Sequence, residues 1–205
     1  MWKVEAGGVE AIVENIKLCM AQVAVPPVKD YHQVSLLKRA AGGVQSDQVD
    51  NRLHRYCYQV LSIVADSTFG RKKLLRYRII EGAFDVLEKS YEVLDVLFIF
   101  HVLRFIEVCC QHRDTRQFMM LKANAVERLC NAVALHMKRS PMLCLPALGA
   151  LRYIILFEPE KRAAFREGIV AETLLEFSKS SVAQGRLREK AWSAAHLLLE
   201  EQQGA

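Results

Sequence analysis

The chain has 205 residues, of which 52 % are hydrophobic and 25 % charged, with a formal net charge of +5. That balance excludes a disordered chain and fits one sizeable folded core or an elongated array. Five prolines and ten glycines lie mostly between long apolar-periodic runs, so helices are expected to dominate.

Met1 to Gly8 lacks the apolar core of a signal peptide, and Glu5, Glu10 and Glu14 argue against an acid-poor transit peptide. The expected location is therefore cytoplasmic and reducing. Cys19, Cys57, Cys109, Cys110, Cys130 and Cys144 fit that expectation. Most lie inside apolar runs without disulfide spacing and read as small buried hydrophobes.

Ala6 to Ile12 opens a first short helix, which Pro26-Pro27 stops. Residues 21–49 then break the pattern of everything that follows. They read as an irregular insertion in an otherwise single domain spanning 1–205, with room for a short helix from Tyr31 to Ala40 and loop at Ser46-Asp47. A loop of that length tends to be functional or disordered, and a docking segment is one reading of it.

Residues 50–80 carry Arg52, Arg55, Arg71, Lys72, Lys73, Arg76 and Arg78 against Asp50 and Asp66, an excess equal to that of the whole chain. Arg71, Lys72, Lys73, Arg76 and Arg78 make a basic patch. Leu74, Leu75 and Tyr77, interleaved at helical spacing, place one face of this run in the core and the cations on a solvated face. An acidic protein segment is the next reading of the patch. Nucleic acid is not the expected partner, because such proteins carry broader positive charge than a pI near 8.9 provides.

Residues 93–108 are large and apolar at almost every position. A helix apolar on nearly all sides must be covered on nearly all sides, which makes it the middle rib of a helical stack. His101, Arg104, Glu107 and Gln111 share one narrow strip of it. With Asp95 they also keep the run below the ~20 apolar residues of a membrane span.

This rib has counterparts. Glu81-Gly82-Ala83-Phe84 is echoed by Ala123-Asn124-Ala125-Val126, by Glu167-Gly168-Ile169-Val170 and, at the start, by Ala6-Gly7-Gly8-Val9. Gly82, Asn124 and Gly168 read as sharp corners, which Gly and Asn allow at least cost. The long apolar helices align at Gln59, His101, Gly149 and Trp192. Three of them are followed by a polar turn and a short basic helix, at Phe69–Leu75, Arg113–Met119 and Glu160–Phe165.

A three-helix unit of 42 to 48 residues with a corner resembles the armadillo repeat, or the related HEAT repeat, over roughly 5–20 and 50–203. The resemblance implies an all-α, armadillo-like right-handed helical solenoid of about four repeats. Importin-type armadillo repeats grip basic peptides with a Trp and an Asn four residues apart. The matching pairs here are Gln59/Ile63, His101/Phe105, Gly149/Tyr153 and Trp192/His196, and only Trp192 agrees.

If the units stack in that manner, Gln59, His101, Arg104, Arg152, Tyr153, Trp192 and His196 line one groove. Arginine beside exposed aromatics is the composition of protein-binding hot spots. The rings of Phe105, Tyr153 and Trp192 have a second reading, as filling between repeats. Repeat arrays also need polar terminal caps, whereas this chain starts in a mid-repeat corner and stops just after Leu197-Leu198-Leu199. An apolar end covered by a partner is therefore expected, as in a subunit of a larger complex or a piece of a longer protein.

Catalysis is not expected. GxSxG, a patterned Cys–His couple and a Gly-rich phosphate loop are all missing. His54-x-x-Cys57 and Cys109-Cys110-x-His112 have a local metal-like spacing but fall in different units, so core cysteines and a surface histidine explain them without a metal. Neither a cofactor nor a small-molecule substrate is expected, and the partners are other proteins.

Overall fold

A computed structural model describes residues 46–89, 96–181 and 183–199. Among these residues there are ten α-helices, two 3-10 turns and no strand. The helices are α1 (Ser46–Ala65), α2 (Thr68–Arg76), α3 (Ile79–Lys89), α4 (Val96–Gln111) and α5 (Arg113–Lys122). They continue as α6 (Ala125–Arg139), α7 (Cys144–Phe157), α8 (Arg162–Arg166), α9 (Ile169–Lys179) and α10 (Arg186–Leu199). The expected first helix, the possible helix at 31–40 and most of the 21–49 insertion lie outside the described residues. Its last part is corrected: Ser46-Asp47 begins α1 instead of forming a loop.

The long helices pack in chain order, α1 on α4, α4 on α7 and α7 on α10, while α6 and α9 cover α7 and α10. α4 is the rib expected from its composition, with ten of its sixteen residues buried. Phe84, Phe105, Ile106, Leu129 and Phe177 are among the largest side chains without exposure. Burying such a side chain contributes about 1.5–3 kcal/mol relative to leaving it in water.

The repeat in the sequence reappears as bonds between matching helices. Arg71 of α2 meets Asp114 of α5 at 3.0 Å, 43 residues on, and Arg128 of α6 reaches back to Asp85 of α3 across the same interval. The turns between long and short helices share a second device. Arg71 Nη1 donates to the carbonyls of Ala65 and Asp66, Arg116 Nη1 to that of Cys110, and Arg162 Nε to that of Ile155. The last carbonyls of a helix have no partner within it, so an arginine from the following short helix satisfies them.

The corners are partly corrected. Asn124 takes the left-handed conformation (φ 46°) just before α6, as expected. Gly82 does not: it lies inside α3, and the left-handed residue before that helix is Arg78 (φ 56°). The helix that begins at Ile79 starts about one turn earlier in the repeat than its counterpart at Ala125, so the turn falls at Arg78 and Gly82 is taken into the helix. Gly168 is extended, at φ −118°.

Candidate functional site

Exposure along the expected strip decides what a partner could touch. On α1, Gln59 is exposed and donates Nε2–H to His101 Nε2 of α4 at 3.0 Å. An amide nitrogen only donates, so His101 Nε2 accepts in this arrangement. Partial burial, aided by the positive charge of Arg55, holds the His101 pKa below its usual value.

Arg104 stands one turn further along α4, with its side chain 49 % exposed, and bonds to Glu107 through Nη1. Glu107 itself does not face solvent. This corrects the sequence reading, which put it on the outer strip: it is 3 % exposed and lies under α7 and α10. Its second oxygen accepts from Lys190 Nζ of α10 at 2.8 Å. The sequence pattern could not show that a cation 83 residues away would pull it inward.

Arg152 of α7 is half-buried and donates Nε to Ser193 Oγ of α10 at 3.1 Å. Tyr153 is half-buried against the core, its ring stacked on Phe157 with centroids 6.2 Å apart. Trp192 is 62 % exposed, and its indole leans on His196 at 5.0 Å. These two line an open cleft of about 750 Å³ together with Arg188, Glu189 and Ser193. Phe105 is fully buried, so of the three rings Phe105 and Tyr153 pack inward and Trp192 faces out.

The strip therefore holds separate contacts, Gln59 with His101, Arg104 through Glu107 with Lys190, Arg152 with Ser193 and Trp192 with His196, with half-buried Tyr153 beside Arg152. Arg55, Arg188 and Lys190 belong with it and were missed. Arg55 and Arg188 could have been found, since each stands one turn before an identified strip position, Gln59 and Trp192.

The basic patch is reduced. Arg71 is not a solvated cation: its side chain is 11 % exposed and bonded to Asp114 and two carbonyls. Lys73 lies over the rings of Phe69 and Tyr77, and Arg78 is 3.8 Å from Glu81. Lys72 and Arg76 are exposed.

The five described cysteines are free and buried. Burial pushes Cys130 up to about 11 and Cys144 to about 12, so neither is a thiolate at neutral pH. Among the described residues no three His, Cys, Asp or Glu side chains converge. No single described helix is long and apolar enough to cross a membrane. Pro141–Phe157 and Pro159–Arg166 pass that test only together, across a bend of 99°. A second exposed apolar feature is the stripe Tyr56, Val60 and Ile63 on α1.

No protein family, curated protein or solved structure matches this chain.

Proposed function

We propose that the helices form an armadillo-like right-handed solenoid of about four repeats whose long helices bind a segment of another protein. On this reading the chain is a non-catalytic interaction and scaffold subunit of a larger assembly inside the cell. The observation that carries it is the exposure of Gln59, Arg104 and Trp192, on α1, α4 and α10, with half-buried His101 bonded to Gln59 across α1 and α4 and Glu107 joining α4 to α10 through Lys190. An exposed indole flanked by arginines is costly to leave in water and profitable to cover. The Tyr56–Val60–Ile63 stripe supports a further contact with an assembly partner at the α1 side. In the repeat register it corresponds to Phe98, Val102 and Phe105, which are buried on α4.

Affinity capture from native extract tests this reading. The wild type should enrich a defined set of proteins that Trp192→Ala loses and that Leu121→Ser, altering an exposed apolar residue on α5, retains. Equal capture by both variants would overturn it. The alternative, an adaptor holding an acidic tail or nucleic acid through residues 50–80, is weakened by the internal bonds of Arg71. It predicts that Lys72→Glu together with Arg76→Glu abolishes capture.

A further inference from the structure

We infer that copies of this chain stack head to tail, the Trp192 face of α10 in one copy covering the Tyr56–Val60–Ile63 face of α1 in the next. The inference rests on the repeat reading above and names the assembly partner at the α1 side as a second copy. Each interior long helix has a trailing face against the long helix before it and a leading face against the one after it. Phe98 and Phe105 lie on the trailing face of α4 and meet the ring of Tyr58 on α1, with centroids 5.7 and 5.8 Å away. Ser193 lies on the trailing face of α10 and meets Arg152 on the leading face of α7.

In the repeat register Phe98, Val102 and Phe105 of α4 answer to Tyr56, Val60 and Ile63 of α1, and Ser193 of α10 answers to Val60. The three on α4 are at most 3 % exposed, whereas those on α1 are 62 %, 39 % and 72 % exposed. The α1 stripe is thus a trailing face without its long helix. Trp192 answers to Gly149, which lies against Lys190 on the long helix that follows it. It therefore stands on a leading face. Among the described residues no long helix precedes α1 or follows α10. The two remaining faces are the two halves of a contact made three times within the chain, by α1 with α4, α4 with α7 and α7 with α10. That continuity identifies the occupant as a second copy. Tyr56, Val60 and Ile63 carry no charge, and an indole is a large apolar side chain to cover them. Repeat arrays avoid such joining by polar end caps, which neither of these faces provides. Because two different faces meet, each added copy leaves one of each kind free, and growth does not close at a dimer. Gln59, His101 and Arg104 keep their bonds within each copy.

Sedimentation velocity and light scattering on the purified full-length chain test this. One pair of long helices is a small interface, so association is expected at about 10–100 µM. The wild-type average mass should pass twice that of one chain and keep rising with concentration. Ile63→Asp closes the α1 face and Trp192→Asp the α10 face. Both side chains are exposed, and circular dichroism checks that each variant is folded. Each variant alone should be monomeric. Their equimolar mixture should form a dimer and nothing larger, because one intact face of each kind remains. Leu121→Asp, at an exposed position of α5, should associate like the wild type. A wild type that stays monomeric at about 300 µM would overturn the inference and leave the α1 face to residues 1–45 or to a different protein. Growth that stops at a dimer, association of either variant alone, or a mixture that stays monomeric would overturn it as well. The groove reading fails separately, through capture from extract, which self-association of the purified chain does not decide.

Discussion

Lys190 on α10 and Glu107 on α4 are joined at 2.8 Å across α7, the helix packed between theirs. The bridge passes at Gly149, where a side-chain carbon would overlap the Glu107 carboxylate. Removing the sole partner of a buried charge costs about 3–5 kcal/mol. Arg104 remains beside Glu107, so Lys190→Met should cost less, about 1–3 kcal/mol. Gly149→Ala should cost a similar amount by displacing the carboxylate. In the double variant Lys190→Met with Glu107→Met most of the loss should return. Urea denaturation measures these and Glu107→Met alone, and a double variant that loses the sum of the two single losses would show that the bridge does not couple the two helices.

Arg116 and Glu158 form the most enclosed ion pair described, 2.7 Å apart with side chains 6 % and 7 % exposed. Arg116 also lies over the Phe157 ring at 4.8 Å and closes the end of α4 through the Cys110 carbonyl. Arg116→Leu strands a buried carboxylate and two ends of structure together. A loss of about 3–5 kcal/mol is expected. Arg71→Leu should cost less, because its partner Asp114 is 37 % exposed and water can replace the arginine. Thermal unfolding of the two variants side by side checks the order, and the reverse ranking would refute it.

Arg78 holds a left-handed backbone that costs an ordinary residue about 1–2 kcal/mol and glycine nothing. Glycine loses about 0.5–1 kcal/mol of that advantage through the freedom of the unfolded chain. Arg78→Gly should therefore be neutral or raise stability by up to about 1 kcal/mol, although it deletes a charge near Glu81. A clear fall in the unfolding midpoint would contradict this account of the corner.

His101 should make stability depend on pH. Its pKa is held below the ordinary value by burial and then by Arg55. Between that lowered value and the unfolded value of about 6.5, the unfolded chain binds more protons. Stability then rises with pH across the window and falls as pH drops through it. Protonation also turns Nε2 into a donor and forces the Gln59 amide to turn. His101→Gln, which cannot titrate, should flatten the profile below pH 6.5. Denaturation midpoints measured from pH 7.5 to 5 decide the point, and parallel wild-type and variant profiles would refute it.

Much of the helical architecture was legible because burial imposes a period. The apolar run of α4 announced a rib with neighbours on both sides, and the short basic helices fell where expected. The function of their arginines was not legible. Arg71 looked like part of a charged surface, because charge runs usually solvate. Its real partners, carbonyls five and six residues back and a carboxylate 43 residues on, exist only once helices stack. The recurrence of Arg71, Arg116 and Arg162 in the short helices was the available signal. Glu107 was misplaced for the same reason, since helical phase puts it on the strip and only Lys190 explains its burial. Trp192 kept its expected place because, among the described residues, no long helix stacks on the last helix as α10 stacks on α7.

The central claim is that the long-helix strip is a protein-binding surface. A photo-reactive benzoylphenylalanine at position 192, compared with one at position 121, tests it most directly in native extract. Both positions are exposed, at 62 % and 75 %, and both are apolar, so general adhesiveness is matched. Discrete polypeptide adducts should form at position 192 and be absent at position 121. Adducts of equal strength at both positions, or none at 192, would contradict the claim.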